Sequence, residues 1–337
     1  MYSTFRRRVK SATAGHFWLR YLLHAGYRAL CAGTLVLTAR TFSGSSHARN
    51  SVEQAIGYIT SVFGTYKAAA AVERFHGRVA EIGPGDSCGV GLMFLADGCE
   101  KVDLLDRFFS LRNERHQRAI NRVLVQRFPQ LTPALRNQDF SESSFANLNR
   151  HYRKRAAAET FFETNKFYDF IVSCSVFEHL YDPMLALSAA ASALNPGGVM
   201  LHSVDCRDHE QFSQDFHELK FLELPPSLYA PLKWGGGPNR VRLSSYVEVL
   251  RRQALDFTIY ITALAGVPEP IPGGTILQEI PGSMLDASRQ YISKVRHRLA
   301  KPFRDMSDED LMVTGFLLVA RKNNPQKAAE LAPVPDP

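Results

Sequence analysis

The segment Glu81–Asp86 restricts the possible folds of this chain more than any other stretch of the sequence. It places Gly83 and Gly85 directly after a short apolar run, which predicts a turn at the end of a strand. Glycine lets the backbone approach a ligand where any Cβ atom would clash. The segment 101–106 predicts a second strand, which ends in Asp106. Strand, glycine turn, helix, strand and acid together outline a nucleotide-binding β-α-β unit.

Strand and helix patterns alternate through the rest of the chain. The predicted strands cover about residues 78–82, 101–106, 134–138, 168–174, 199–204, 257–262 and 313–320. The predicted helices cover about residues 66–76, 88–97, 109–128, 141–166, 183–194 and 245–254, the last begun by a capping box at Ser245 and Glu248. This alternation indicates an α/β fold with an open, mostly parallel sheet and helices on both faces. Ligands bind at the carboxyl ends of such strands, so the residues that follow each strand are site candidates.

The glycine turn departs from the fingerprints of other nucleotide-binding classes. A dinucleotide fingerprint requires G-x-G-x-x-G, and Cys88 occupies the third glycine position. No G-K-[ST] follows the turn, which excludes a P-loop, and no G-x-S-x-G provides a nucleophile elbow. An oxidoreductase that binds NAD(P) stays open as an alternative, although Cys88 disfavours it.

Five motifs, in their order along the chain, resemble a class I S-adenosylmethionine-dependent methyltransferase of the Rossmann-like superfamily. They are Glu81-x-Gly83-x-Gly85, Asp106 after the second strand, Asp139-Phe140 after the third, Phe177-Glu178-His179-Leu180 after the fourth, and Pro196-Gly197-Gly198 before the fifth. The resemblance covers about residues 70–322. It implies a seven-stranded, mostly parallel sheet with an antiparallel last strand and helices on both faces. It also implies S-adenosylmethionine as the cofactor.

The resemblance implies a set of cofactor contacts at the ends of the first four strands. Gly83 and Gly85 would let the backbone approach the methionine and ribose parts, and Asp106 would accept hydrogen bonds from the ribose hydroxyls. Asp139 would meet the adenine amino group. The predicted cofactor-binding residues are Glu81, Gly83, Pro84, Gly85, Asp106, Asp139, Phe140 and Ser175.

The methyl acceptor is expected beyond the ends of the fourth and fifth strands. The candidate catalytic residues there are His179, Asp208 and His209, with Asp208 or Asp205 orienting His209. A base is needed only where the acceptor atom carries a proton of high pKa, as a hydroxyl does. In the alternative, Arg207 and Asp208 form a structural ion pair and His209 caps a helix.

The pair Glu178-His179 raises the question of a metal ion. Some quinone O-methyltransferases of the family bind a divalent ion through a Glu-x-x-Glu-His pattern, and here Ser175 stands at the first position. One carboxylate and one imidazole are too few ligands for a divalent ion, so the sequence predicts no metal.

Residues 206–243 form an insert of the kind that commonly caps the acceptor pocket in this family. Tyr229 and Trp234 suit a flat or sugar-like acceptor through stacking, and Arg240 suits a carboxylate or phosphate. In the alternative, the aromatic residues form a satellite core and the arginines pair with Asp205 or Asp208. The predicted acceptor contacts are Asp205, Arg207, Tyr229, Trp234 and Arg240.

The net charge of +7 belongs to the N-terminal extension. Residues 1–52 contain eight Arg and Lys side chains and no acid, so the body is near neutral and nucleic acid is not an expected partner. Arg20, His24 and Arg28 interrupt an apolar stretch at helical spacing, which argues against a spanning helix. Three interpretations stay open: a helix packed on the body, a basic helix on an anionic membrane, or a targeting peptide.

The sequence therefore predicts an S-adenosylmethionine-dependent methyltransferase that acts on a small-molecule or glycan- or lipid-linked acceptor, at oxygen. A non-catalytic, membrane-associated binding module is the second alternative. Five cysteines without a CxxC pair indicate reduced thiols and a cytoplasmic protein. Peripheral contact of residues 1–50 with the inner membrane face is one of the open interpretations of the extension. The predicted divisions are a helical extension at 1–65, a methyltransferase domain at 66–322 with inserts at 206–243 and 265–309, and a disordered tail at 323–337.

Overall fold

A seven-stranded sheet forms the centre of the fold. The computed structural model describes residues 9, 13, 15–38, 40–41, 47, 50–153, 156–209, 211–213, 217–234 and 236–324. The strands of the sheet are β1 Arg78–Ile82, β2 Lys101–Asp106, β3 Leu148–Tyr152, β4 Tyr168–Cys174, β5 Leu194–Asp205, β6 Leu255–Leu264 and β7 Val313–Lys322.

The order of the strands confirms the predicted fold. Across the sheet they lie in the order β3-β2-β1-β4-β5-β7-β6. The neighbours from β3 to β5 are parallel, and β7 runs antiparallel between β5 and β6. The chain builds outward from β1 to β3 and then returns to β4 on the other side of β1. Ligands of open α/β sheets bind at this kind of switch point.

Helices cover both faces of the sheet. They are α1 Phe17–Thr38, α2 Val52–Ala70, α3 Gly89–Asp97, α4 Glu114–Arg127, α5 Ala158–Thr164, α6 Pro183–Ala193, α7 Pro226–Trp234, α8 Leu243–Arg252, α9 Gly282–Val295, α10 Lys301–Arg304 and α11 Asp308–Met312. Successive residues of β4 belong to opposite cores, as strand geometry requires. Phe170 and Val172 pack in the core that contains α2 and α3, whereas Ile171 packs in the core that contains α6 and α8.

The third strand lies later in the chain than the sequence predicts. Residues 129–134 form a 3-10 helix, and β3 is the strand that pairs with β2. The prediction of a strand at 134–138 is therefore wrong, as is the prediction of a surface helix over 141–166, which contains β3 and the short α5. The segment LNRHY of β3 is polar because its basic residues meet acids on β2.

Two helix boundaries also differ from the sequence predictions, and one helix was not predicted. The helix predicted at 66–76 is α2, which begins at Val52 after an N-cap and capping box at Ser51. The division expected at residue 65 thus falls inside one packed helix. Ser245 and Glu248 lie inside α8 and form no capping box. The second insert, which the sequence left without a long helix, contains α9.

Helix α1 packs on the body with its polar face inward. Arg20, His24 and Arg28 are buried, and the Tyr21 hydroxyl donates to the carbonyl of Leu228 in α7 at 2.8 Å. This arrangement agrees with a helix packed on the body. Among the described residues, no helix combines the length and apolarity that crossing a bilayer requires.

Candidate cofactor and acceptor site

One cavity opens at the carboxyl ends of β1, β2 and β4. Its volume of about 360 Å³ falls in the range of small-molecule sites. The structure brings most of the predicted cofactor residues together in its lining, namely Glu81, Gly83, Pro84, Gly85, Asp106 and Ser175.

The glycine turn has backbone φ angles that residues with a side chain rarely adopt. Gly83 and Gly85 both have positive φ, at 73° and 66°. A Cβ atom at Gly83 would lie 2.4 Å from a methyl carbon of Val176, the residue after the cavity-lining Ser175. Gly83 N–H donates to the carbonyl of Leu105 at 2.8 Å, which ties the turn to the end of β2. The turn therefore holds bare backbone against the cavity.

Arg150 on β3 joins the glycine turn to the acid at the end of β2. Its guanidinium donates to Asp106 Oδ2 at 3.2 Å, to the carbonyl of Gly85 at 3.1 Å and to that of Ser87 at 3.2 Å. Nε also donates to both oxygens of Glu142, at 2.7 and 2.9 Å. Only 7% of the side chain is exposed, so it is a buried cation with two carboxylate partners.

Sequence reasoning missed Arg150 because it placed the residue in a solvated helix. The local signal that could have identified Arg150 is the run of basic residues after a leucine. This run forms β3, the strand at the edge of the sheet. Its acidic partner on β2 is 44 positions away in the chain. The pairing therefore becomes visible only when β3 is assigned correctly.

The two acids of the cavity have raised pKa values. Burial raises the pKa of Glu81 to about 8, although Arg150 opposes the change. Burial also raises the pKa of Asp106 to about 7, and Arg150 and the Gly85 backbone N–H oppose it. Glu81 Oε2 is buried and has no hydrogen-bond partner among the described residues. Both acids therefore favour a ligand that brings positive charge or hydrogen-bond donors.

Asp139 and Phe140 do not line the cavity, which corrects the predicted adenine contacts. Asp139 forms an exposed ion pair with Arg118 of α4, and the carbonyl of Phe140 accepts from Asn121 of the same helix at 3.0 Å. The prediction failed because these residues follow a 3-10 helix instead of the third strand. The segment that follows β3 lines the cavity instead, at residues 156–158, as does Phe108 after β2.

The N-terminal part of the chain also contributes to the cavity, which the sequence did not indicate. Tyr58 of α2 and His47 line it, with their rings in edge-to-face contact at a centroid distance of 5.3 Å. The Tyr58 hydroxyl lies 3.9 Å from Cys174 Sγ at the end of β4. Helix α2 therefore forms one wall of the site.

Glu178, His179, Asp205 and His209 form a titratable cluster beside the cavity. His209 Nε2 lies 3.8 Å from Glu178 Oε1 and 3.8 Å from Asp205 Oδ2. His179 lines the cavity, and its ring meets that of His209 edge to face at 4.8 Å. His209 has a positive φ of 51°, which is strained for a residue with a side chain.

Burial controls the charge of this cluster. It lowers the pKa of His179 to about 3 and lowers that of His209, so both imidazoles are neutral near pH 7. Burial raises the pKa of Glu178 well above its usual range. Burial acts in the same direction on Asp205, but its bonds with Arg207 prevail and hold the pKa of Asp205 below the usual range. A neutral imidazole beside an ionised carboxylate can accept a proton.

A cation could also find ligands in this cluster. Glu178, His179 and His209 each offer one ligand atom, and these atoms lie within 4.8 Å of one another. The donor set is of the kind that first-row divalent metals accept. The absence of a metal stays a prediction.

Asp208 and Arg207 have structural partners. The carboxylate of Asp208 is buried and accepts from the backbone of Phe212 at 2.7 Å and from Ser213 N–H at 2.9 Å. It therefore folds the loop, and Asp205 is the aspartate that approaches His209. Arg207 binds Asp205 through two bonds of 2.8 Å, so its ion-pair partner is Asp205 and not Asp208, which the structural alternative had proposed.

Tyr229 and Arg240, two of the predicted acceptor residues of the cap, do not line the cavity. Tyr229 is buried and donates to the carbonyl of Pro238 at 2.8 Å. Arg240 stacks over the Tyr229 ring at 4.1 Å and donates to the carbonyl of Leu224. Tyr229 therefore packs inside the cap, as the structural alternative predicted. Arg240 also stabilises the cap, but through a ring and a backbone carbonyl and not through the predicted pairing with Asp205 or Asp208. Trp234 ends α7, and its side chain lies outside the part of the chain that the structure describes.

Comparisons with known proteins place the chain among methyltransferases. A family model described as "Methyltransferase domain" matches residues 60–246, more than half of the chain. No curated protein matches it. Solved structures that match include the YcgJ protein of Bacillus subtilis, at 16% identity over 79% of this chain and 99% of the other, with a TM-score of 0.41.

Two further structural matches are enzymes by their descriptions. One is a putative sarcosine dimethylglycine methyltransferase from Galdieria sulphuraria, at 13% identity over 85% of this chain and 94% of that one, with a TM-score of 0.42. The other is phosphoethanolamine N-methyltransferase 2 from Haemonchus contortus, described with S-adenosylmethionine. It matches at 14% identity over 79% of this chain and 53% of that one, with a TM-score of 0.41.

Proposed function

The chain belongs to the methyltransferase-domain family and is an S-adenosylmethionine-dependent enzyme, and from this premise we propose that it methylates a hydroxyl oxygen. The proposed acceptor is a small molecule or a glycan- or lipid-linked compound. The observation that supports oxygen is the neutral His209 beside the ionised Asp205, next to the cavity.

The residues of the cavity fit S-adenosylmethionine. Gly83 and Gly85 line the cavity without side chains, and Asp106 stands at the end of β2 with one oxygen on Arg150. Glu81 Oε2, buried without a partner among the described residues, suits the positively charged amino-acid end. Residues 156–158 and Phe108 provide an apolar surface for adenine. The bound cofactor supplies a methyl group that is already activated on a sulfonium.

A hydroxyl acceptor must lose its proton as its oxygen bonds to the methyl carbon, while the bond from that carbon to sulfur breaks. His209 is neutral because burial lowers its pKa, so its ring can take the proton. The resulting imidazolium would lie 3.8 Å from Asp205 and within the same distance of Glu178. A carboxylate this close favours the protonated ring. His179 lines the cavity, and its ring is in edge contact with that of His209.

The test compares acceptors that differ only in one atom. The enzyme is incubated with labelled S-adenosylmethionine and matched alcohols, amines and thiols built on phenolic, sugar and lipid skeletons. We expect label on the oxygen acceptors. Transfer to an amine or a thiol with none to its matched alcohol would contradict the proposal.

Substitution of His209 tests the role of the base. His209→Asn should lower the rate of oxygen methylation by about 10²–10⁴-fold at saturating cofactor, while cofactor affinity stays unchanged. His297→Asn, at an exposed histidine of the 3-10 helix 296–298, is the matched control. The wild-type rate should be level near pH 7 and fall only below pH 6.5, because the pKa of His209 is lowered. An unchanged rate in His209→Asn would remove His209 from the mechanism.

A further inference from the structure

Helix α1 is amphipathic in the reverse of the usual sense. Its polar side chains face the protein: Arg20 Nε donates to Thr13 Oγ1 at 3.0 Å, and the His24 ring meets the ring of Phe212 at 5.9 Å. Arg28 is buried as well, near Gly236 of the cap. An ordinary surface helix turns its charged face to solvent. The charged residues of α1 therefore do not make its solvent-facing surface polar.

The outward face of α1 is entirely apolar over the positions whose side chains the structure describes. The exposed positions are Trp18, Leu19, Leu22, Leu23, Gly26, Ala29, Leu30, Gly33 and Leu37. Four of the large side chains are more than half exposed, at 59% for Trp18, 62% for Leu22, 75% for Leu30 and 86% for Leu37. These positions follow one another at helical spacing along about 30 Å of helix. We call this surface the α1 face.

We infer that the α1 face docks the protein on an anionic lipid membrane, with α1 lying in the interface plane. Monomeric soluble proteins rarely leave a continuous apolar patch of more than a few hundred Å² in water. Burial of each exposed leucine in the acyl boundary contributes about 1–2 kcal/mol, so the face as a whole supplies enough for reversible binding. Since α1 does not meet the requirements of a spanning helix, it lies on the membrane.

The charges that flank α1 favour a lipid surface. Residues 1–52 contain no acid, and with Arg20 and Arg28 turned inward the remaining basic residues stand before and after the helix. They are Arg6, Arg7, Arg8, Lys10, Arg40 and Arg49. Near an anionic membrane each basic residue contributes about 1 kcal/mol. The apolar face and the basic flanks thus act on the same partner.

The same charges disfavour a second copy of the chain as the partner. A two-fold pairing through the α1 face would bring the same surface of both copies together. It would place two acid-free basic segments side by side, and like charges at an interface cost free energy.

Membrane docking would also set the position of the cap. Helix α1 packs on α7 of the cap insert, and Arg28 Nη1 lies 3.8 Å from the Cβ position of Gly236, which lines the cavity. Docking through α1 therefore keeps the cap and the cavity beside the bilayer. The inference goes beyond methyl transfer and does not depend on it.

The test uses the full chain and sedimentation with vesicles. We expect binding to vesicles of phosphatidylcholine with phosphatidylglycerol, weaker binding to phosphatidylcholine alone, and a loss of affinity at high salt. Leu19→Glu/Leu22→Glu should lower the affinity by at least about tenfold. Leu185→Glu, at a half-exposed leucine of α6, is the matched control and should bind as the parent does.

Two measurements keep the outcome decisive. Circular dichroism and S-adenosylmethionine binding, measured by calorimetry, show whether the double variant is folded. A folded double variant that binds vesicles as the parent does would overturn the inference, as would a parent that binds no vesicles. If light scattering shows that the parent is a dimer and that the double variant is a monomer, the α1 face binds a second copy of the chain instead.

Discussion

Arg150→Met tests whether Arg150 is the residue that holds the cofactor side of the site together. The substitution keeps an unbranched apolar stem of similar length and removes the guanidinium. The lost bonds are those to Glu142 at 2.7 and 2.9 Å, to Asp106 at 3.2 Å and to the carbonyls of Gly85 and Ser87. Two carboxylates and two carbonyls of the turn thereby lose a shared donor.

The structure sets the expected size of the effect. Removal of one partner from a buried ion pair costs about 3–5 kcal/mol. Glu142 keeps Arg112 at 2.9 Å, and Asp106 keeps the backbone N–H of Gly85, so we expect the lower end, about 3 kcal/mol of unfolding free energy. With the turn and Asp106 no longer fixed, affinity for S-adenosylmethionine should fall by at least about tenfold.

Urea unfolding and titration calorimetry measure the two effects. Arg153→Met, at an exposed arginine that follows the same strand, is the matched control and should change neither quantity. The stability and cofactor affinity of Arg150→Lys should fall between those of Arg150→Met and the control, because lysine keeps the charge but lacks the planar guanidinium fork. Stability within about 1 kcal/mol of the parent, together with unchanged cofactor affinity in Arg150→Met, would refute the reasoning.

Two further predictions concern the turn and the core. Gly83→Ala should lower cofactor affinity, because the new Cβ would lie 2.4 Å from Val176 at a φ of 73°; calorimetry with an unchanged affinity would contradict this. Burial lowers the pKa of His202 to about 3. Since the unfolded chain takes up the proton below about pH 6.5, His202 costs stability as the pH falls towards 3. Between pH 7 and pH 5 the parent should therefore lose about 2 kcal/mol more unfolding free energy than His202→Gln, and equal losses in urea titrations would refute this.

The ends of β1, β2 and β4 could be predicted because each combines an apolar run with a local stop. Gly83 follows β1, Asp106 ends β2, and Ser175 follows β4, so the residue pattern alone brings them to one edge of the sheet. The order of the strands then follows from the family resemblance. Short-range signals were sufficient wherever burial on both faces makes a strand apolar.

The third strand and its partners could not be predicted in the same way. β3 carries Arg150 and His151 because they pair with Asp106 and Asp103 on β2, at 3.2 and 2.9 Å. A strand whose polar residues are satisfied by a neighbouring strand looks like a surface segment in the sequence. Because the third strand was predicted too early in the chain, the adenine contact was predicted at Asp139, which lies outside the cavity lining.

Long-range packing also decides the roles of the acceptor residues. His209 and Glu178 come from the ends of different strands, and their separation of 3.8 Å has no counterpart in sequence spacing. The sequence correctly placed Arg20, His24 and Arg28 on one face of α1 but gave no means to know that this face points inward. The predicted domain divisions stay predictions.

Titration calorimetry with S-adenosylmethionine and NAD, on the parent and on Asp106→Ala, tests the account most directly. The parent should bind S-adenosylmethionine and not NAD. Asp106→Ala should lose about 1.5–3 kcal/mol of binding free energy, which is roughly ten- to hundredfold in affinity, because a charged hydrogen bond to the ribose is removed. Binding of NAD in place of S-adenosylmethionine, or an affinity that Asp106→Ala leaves unchanged, would contradict the assignment of the cavity.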